Sequence, residues 1–244
     1  MRHRALCCDY DGTLAHDGHV ADATIGSLVR LRASGRHLVL VTGRELEELK
    51  GVFPRLDLFT SVVAENGALL YEPATGEQRT LAEPPPPSFV MALRERGVAP
   101  LAVGRVIVAT WEPHETVVLE TIRDFGLELQ VIFNKGAVMV LPSGVNKASG
   151  LAAALTALGV SPLQAVGIGD AENDHAFLKL CGCAVAVANA LASVKQDADF
   201  VTAGSRGTGV QELIEEMLAD DLARREAQLA RRITRAADAV DSRP

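Results

Sequence analysis

The sequence predicts an α/β protein, a doubly wound parallel sheet carrying a small inserted α+β unit. Three observations carry this expectation. Short apolar runs alternate with stretches of helical periodicity through the first 70 residues, the same alternation resumes from Lys147, and the segment between them has a different rhythm and follows four consecutive prolines, Pro84 to Pro87. Strands separated by helices have to pair in parallel through right-handed crossovers. In such sheets the chemistry gathers at the carboxyl ends of the strands.

Taken in order, Ala5 to Cys8 is an apolar run that ends in an acid, and reads as the first strand. Ile25, Leu28, Val29 and Leu31 recur at near-helical spacing, with Gly35 where such a helix would stop. His37 to Val41 is almost continuously apolar, as expected of a strand covered on both faces. A helix over 45–53, a strand over Ser61 to Ala64 and a hairpin from Ala68 to Tyr71 and Gln78 to Leu81 follow, the hairpin turning at Pro73 to Gly76. The prolines then predict a stiff polyproline spacer. Within 88–142 the expected elements are a short helix, a strand over Arg105 to Trp111, a helix near 114–125 and two strands joined near Asn134-Lys135-Gly136. Beyond it come a helix from Lys147 to Leu158, a strand from Gln164 to Ile168, a helix from Asn173, a strand from Ala184 to Val187, a short strand near Asp199 to Val201 and a helix from about Thr208 to Leu218. The division is thus 1–83 and 144–218 for the two pieces of the core, 84–143 for the insert and 219–244 for a charged tail. In that tail Leu222, Leu229 and Ala236 fall seven apart beside Ile233 and Val240; the pattern reads as a solvated terminal helix, with packing on a partner subunit as the alternative.

Composition narrows the function. At 244 residues, 48% of them hydrophobic, the chain can bury a substantial core, and only 4% aromatics argues for close-packed helices on a sheet over an aromatic-rich sandwich. Lys and Arg number 24 against 31 Asp and Glu, a net charge of −7 with no basic block, so no nucleic-acid partner is expected. No apolar run reaches the ~18–20 residues of a membrane span, so no membrane partner is expected either. The apolar stretch after the basic residues Met1 to Arg4 stops at Asp9, which is unlike a signal peptide. Cys7, Cys8, Cys181 and Cys183 lack zinc-finger or thioredoxin spacing and read as buried, reduced thiols, which with the rest points to a cytoplasmic location.

Four pieces of sequence carry chemistry. Asp9-Tyr10-Asp11-Gly12-Thr13 places two carboxylates just past a strand, where like charges so close call for a divalent cation. Taken alone the pair also suits a surface turn. A calcium loop is excluded, because the sixth position is Leu14 where Gly is needed and the twelfth is Val20 where Glu is needed. Val41-Thr42-Gly43-Arg44 offers a hydroxyl and backbone N–H groups to a phosphate oxygen, or a plain N-cap. Lys147 at a helix start opposes the helix dipole, which suits a local anion, though a plain surface lysine is the commoner case. Gly167-Ile168-Gly169-Asp170-Ala171-Glu172-Asn173-Asp174 puts Asp170 at a strand end and Asp174 on the next turn; it is no dinucleotide fingerprint, since Glu172 stands at the third glycine. All four converge on one sheet edge, and together they suit phosphoryl transfer by an attacking carboxylate.

In this order the motifs resemble the haloacid dehalogenase superfamily of phosphotransferases, over roughly residues 4–218. The insert between the Thr42 and Lys147 motifs, with Glu65-Asn66-Gly67-Ala68, is similar to the subgroup with a type IIB α+β cap, the Cof-like and phosphoglycolate phosphatase-like members. Tyr10 departs from the commoner aliphatic residue, and its side chain is expected to point away from the cation. The resemblance implies a phosphatase with Asp9 as nucleophile and Asp11 as general acid and base. It implies Mg2+ held by Asp9, the Asp11 carbonyl, Asp170 and Asp174, and a phosphoryl group held by Thr42 and Lys147 with Gly43 and Asn173 as weaker candidates. The implied substrate is a small phosphate ester, phosphoglycolate first because the cap is short, with sugar phosphates and phosphorylated glycerates behind it. Sugar-phosphate phosphatase and phosphotransferase or phosphomutase activity remain alternatives, and a phospho-receiver module is opposed by Asp11, the insert and the Asp170/Asp174 pair. Lys135, Arg105, His114 and Glu112 could meet substrate, though each reads more simply as a solvent-facing residue. A monomer or homodimer is expected.

Overall fold

A computed structural model describes residues 1–225 and 227. The chain begins with β1 (Ala5–Asp9), α1 (Asp22–Ala33), β2 (His37–Val41), α2 (Leu46–Val52) and β3 (Ser61–Ala64), and then a hairpin of β4 (Leu69–Glu72) and β5 (Glu77–Thr80). After the insert come α5 (Lys147–Ala157), β10 (Ala165–Gly169), α6 (His175–Leu180), β11 (Cys183–Ala186), α7 (Ala192–Asp197), β12 (Phe200–Val201) and α8 (Arg206–Asp220). These strands form one sheet in the order β12-β11-β10-β1-β2-β3-β4-β5. It is parallel from β12 to β3, and the hairpin extends it antiparallel.

The strands at the centre are almost wholly apolar because helices cover both faces. Every residue of β1, β3 and β10 is buried, and of β2 only His37 reaches solvent. The chain winds outward from β1 through β2 and β3, and from β10 through β11 and β12 the other way. The winding therefore reverses between β1 and β10, where such sheets open a crevice at their carboxyl ends.

The insert holds α3 (Pro87–Glu95), β6 (Ala102–Val103), β7 (Val108–Trp111), α4 (Glu115–Asp124), β8 (Leu129–Asn134) and β9 (Ala137–Pro142). Its strands form a separate antiparallel sheet in the order β6-β7-β9-β8. Phe89 and Leu93 of α3 and Val118 and Ile122 of α4 pack with Val108, Val138 and Val140 of that sheet in an apolar cluster of its own. A second cluster (Ala68, Val106, Ile107, Met139, Leu141 and Val145) joins the insert to the core.

Several elements differ from expectation for identifiable reasons. The proline run is shorter as a spacer, since Pro87 is the first residue of α3, where its fixed φ suits a helix and its missing N–H leaves nothing unpaired. The strand expected from Arg105 begins at Val108, because the N–H groups of Arg105, Val106 and Ile107 go to a carboxylate of the core, described below. The helix expected from Asn173 starts as a 3-10 turn, Glu172–Asp174, before α6. β6 and α7 are too short to leave a periodic signal.

None of the four cysteines forms a disulfide, and Cys7, Cys8 and Cys183 are buried while Cys181 is half-buried. No helix among the described residues is long and apolar enough to cross a membrane. Leu222 is buried against the core, and Arg225 reaches Glu212 and Glu216, while the heptad residues Leu229, Ile233, Ala236 and Val240 lie outside the described residues.

Candidate active site

The crevice between β1 and β10 collects the acidic motifs because their strands end level. Cys8 pairs with Ile168 and Asp9 with Val41 in the parallel ladders, so Asp9, Thr42 and Asp170 stand at adjacent strand ends. Asp9 is buried, and its Oδ1 accepts a hydrogen bond from Lys147 Nζ at 2.6 Å. The same ammonium donates to Asp174 Oδ1, also at 2.6 Å, which is the local anion that a lysine at the start of α5 calls for. The other Asp174 oxygen, Oδ2, accepts the backbone N–H groups of Asp170 and Ala171 at 2.8 and 2.9 Å, folding the loop after β10 back over the crevice. Asp170 Oδ1 accepts from Thr13 Oγ1 at 3.1 Å. Residue 12 has to be glycine: its φ is +93°, and a Cβ there would stand 2.5 Å from Asp170 Oδ2.

The electrostatics follow from this burial. Loss of water and the neighbouring Asp174 carboxylate push the Asp9 carboxyl up to about 8, against the pull of Lys147. Burial works against the Lys147 ammonium, but the Asp174 and Asp9 carboxylates outweigh it and raise its pKa. Asp9 Oδ2 is buried with no hydrogen-bond partner. An orphaned carboxylate oxygen of this kind is costly unless something charged meets it.

The remaining predicted residues line the mouth. Asp11 is held by Arg44 through two parallel bonds, Nε to Oδ2 at 2.6 Å and Nη2 to Oδ1 at 2.8 Å, the bidentate arrangement that orients a carboxylate best. Thr42 is buried, its hydroxyl accepting the Arg44 N–H at 3.1 Å. Gly43 and Asn173 both line a cavity of about 450 Å3 between core and insert, and Asn173 Nδ2 donates to Asn66 Oδ1 at 3.0 Å. Tyr10 turns into the core and donates to the Gly18 carbonyl at 2.7 Å. From the insert, Ile107, Trp111, Lys135 and Met139 face the cavity. Of the four insert residues named from sequence, only Lys135 lies along it: the His114 ring meets the Ala99 carbonyl, and neither Arg105 nor Glu112 lines it.

Sequence reasoning missed two polar contacts. Arg44 stood in a quoted motif without a role, and its position one turn from a strand end beside an acidic motif was the available signal. Glu65 is buried at 1% exposure, and its carboxylate accepts three insert N–H groups, from Arg105 (2.9 Å), Val106 (2.7 Å) and Ile107 (2.9 Å). Nothing local in the sequence pairs residue 65 with 105–107.

Fold and site define the class: an enzyme with carboxylates and a buried lysine at the switch point of a doubly wound sheet, beneath a small α+β unit. The chain belongs to the haloacid dehalogenase-like hydrolase family, whose sequence profile matches residues 6–101 and 106–214. It is 33% identical to a phosphoglycolate phosphatase of Natronomonas pharaonis over 86% of this chain and 96% of that one. It is 29% identical to a phosphoglycolate phosphatase of Methanothermobacter thermautotrophicus, over 88% and 99%. Among solved structures, a haloacid dehalogenase-like hydrolase from Bacteroides thetaiotaomicron superposes with a TM-score of 0.75 at 19% identity, covering 88% of this chain and 99% of that one. Another from B. subtilis superposes at 0.69 and 16%, covering 88% and 99%. The chain is a phosphatase, with a small phosphate ester as its substrate.

Hydrolases of this family use a divalent cation, and the donor set here fits one. Carboxylate oxygens of Asp9, Asp170 and Asp174 lie within 4.8 Å of one another, and all three residues are buried. Oxygen donors of this hardness suit Mg2+-like ions.

Proposed function

We propose that this chain is an Mg2+-dependent phosphomonoester hydrolase that works through an aspartyl-phosphate on Asp9, with phosphoglycolate as its substrate. The observation that carries the reading is the asymmetry of Asp9: one oxygen is pinned by Lys147, and the other is buried without a partner. That free oxygen attacks phosphorus in line, and the bond from phosphorus to the ester oxygen breaks. Asp11 protonates the departing oxygen; it then takes a proton from the water that cleaves the aspartyl-phosphate and releases inorganic phosphate. Arg44 keeps the Asp11 carboxylate turned to the mouth. Lys147, Thr42, the Gly43 backbone and Asn173 hold the transferring phosphoryl oxygens. Asp9, the Asp11 carbonyl, Asp170 and Asp174 hold the cation, which when bound neutralises phosphate charge and keeps Asp9 ionised. Residues 84–143 act as a cap over the core.

Support for the substrate comes from the names of the two relatives and from the charges at the cavity. Arg44 and Lys135 line it beside Ile107 and Met139, which suits an ester with two anionic groups. The test is phosphate release from a panel of phosphomonoesters with Mg2+. Phosphoglycolate is expected to show the highest kcat/KM; hexose phosphates ranking far above it would overturn the substrate assignment and favour a sugar-phosphate phosphatase.

A further inference from the structure

The tip of the β8–β9 hairpin reaches out of the insert into the acidic crevice. Lys135 Nζ donates to Asp170 Oδ2 at 2.9 Å and to the Asp11 main-chain carbonyl at 3.0 Å. Asp170 is almost fully buried, while the Lys135 side chain is 47% exposed. The contact is built into the backbone on both sides. Lys135 and Gly136 form the two-residue turn with φ of +50° and +84°, a left-handed conformation that lysine disfavours and that Asn or Gly would adopt readily. On the core side, Gly12 leaves room for the ammonium: a Cβ there would stand 2.9 Å from Lys135 Nζ.

The two oxygens that Lys135 holds are two of those assigned above to the divalent cation. An ion bonded to both at the ~2.1 Å of Mg2+ would stand inside the ammonium's own hydrogen-bonding shell. Two like charges at that range repel, and the ammonium and the ion would need the same two oxygens, so they compete for them. The geometry points to Lys135 as a residue of the cation site itself: its ammonium competes with the divalent ion for Asp170 and the Asp11 carbonyl, so that cation binding displaces the hairpin tip and lowers the ion's apparent affinity. This couples the insert to the metal without any substrate. It rests on placing the cation at Asp170, as the proposed function does.

The test is calorimetric titration of the full chain, freed of metal by a chelator, with Mg2+ and with Mn2+. Lys135→Met is expected to bind either ion more tightly, roughly fivefold or more, the range that loss of a half-exposed charged competitor would allow. Lys135→Gln is expected to show the same sense of change, and unaltered or weaker binding by both variants would overturn the proposal. Hydrogen exchange on the unaltered chain supplies a readout independent of any variant. Amides around 133–137 are expected to exchange faster when Mg2+ is added, and unchanged or slower exchange there would also overturn it. Asp170→Asn separates the two assignments. Loss of ion binding in that variant upholds the cation's placement, whereas wild-type affinity removes the placement and the competition together.

Discussion

The two sheets of this molecule bury apolar surface by different rules. In the core, β1, β3 and β10 are buried from end to end, so their positions are set by packing on both faces and their carboxyl ends are held rigidly. In the insert, β9 is buried along its middle while β8 is only partly covered. Residues of that sheet such as Ala109, Ala137 and Met139 line the cavity and trade core packing for access to it. On the proposed function, the core holds the reacting groups at its strand ends and the insert supplies one wall of the cavity. Glu65 and Lys135 make two of the polar bridges that join them. Glu65 is a buried clasp made entirely of backbone hydrogen bonds, and Lys135 is a half-exposed charged contact at the far edge.

The sharpest way to break this division is at Asp9. Asp9→Asn keeps the shape and the neighbouring Lys147 but removes the proposed nucleophile. The expected result is a fall in kcat of roughly 10^4-fold or more, with circular dichroism and melting unchanged in form. Full turnover by a well-folded variant would remove the reaction from the core strand ends altogether.

Glu65 tests whether the insert is held by its clasp. Glu65→Ala leaves three insert N–H groups without their acceptor, at a cost of about 2–4 kcal/mol in urea unfolding, while Glu65→Gln, which keeps one oxygen, should cost less. If the insert acts as a wall, KM should rise several-fold in both with kcat affected less. A fall confined to kcat would instead place Glu65's influence on the reacting groups.

The smallest effect is one of pH. The Asp9 carboxyl, ordinarily near 4, keeps its proton in the fold up to about 8. Across that window the folded chain binds more protons than the unfolded one, so this group's contribution to stability is full below pH 4 and falls as pH rises toward 8. Cation-free wild type should therefore lose stability relative to Asp9→Asn as pH rises from 5 to 8. Saturating Mg2+ should flatten the slope. Parallel pH profiles for the two proteins in chemical denaturation would show that burial in the core does not hold the Asp9 proton.

Much of the core was legible in its sequence because its signals are local. A run such as His37 to Val41 declares a strand covered on both faces, and Asp9, Asp170 and Asp174 follow such runs at once. Lys147 announced an anion by sitting at the wrong end of a helix dipole, and the two carboxylates at 2.6 Å are that anion. The insert was legible as a unit but not in detail. Arg105 to Ile107 looks like strand, yet spends its donors on a carboxylate forty residues away in sequence, which no periodicity can register.

By itself, then, the sequence determined the alternation of strand and helix and the order of the acidic motifs, since each depends on neighbouring residues and on backbone preferences that act over a few positions. Only the tertiary structure decided that Arg44 grips Asp11, that Glu65 clasps the insert, that Asp9 keeps one oxygen unpaired and that Lys135 lies on Asp170. These depend on where distant strand ends and turns meet in space. The energy of a charge there is set by burial and by its neighbours, and neither is written along the chain.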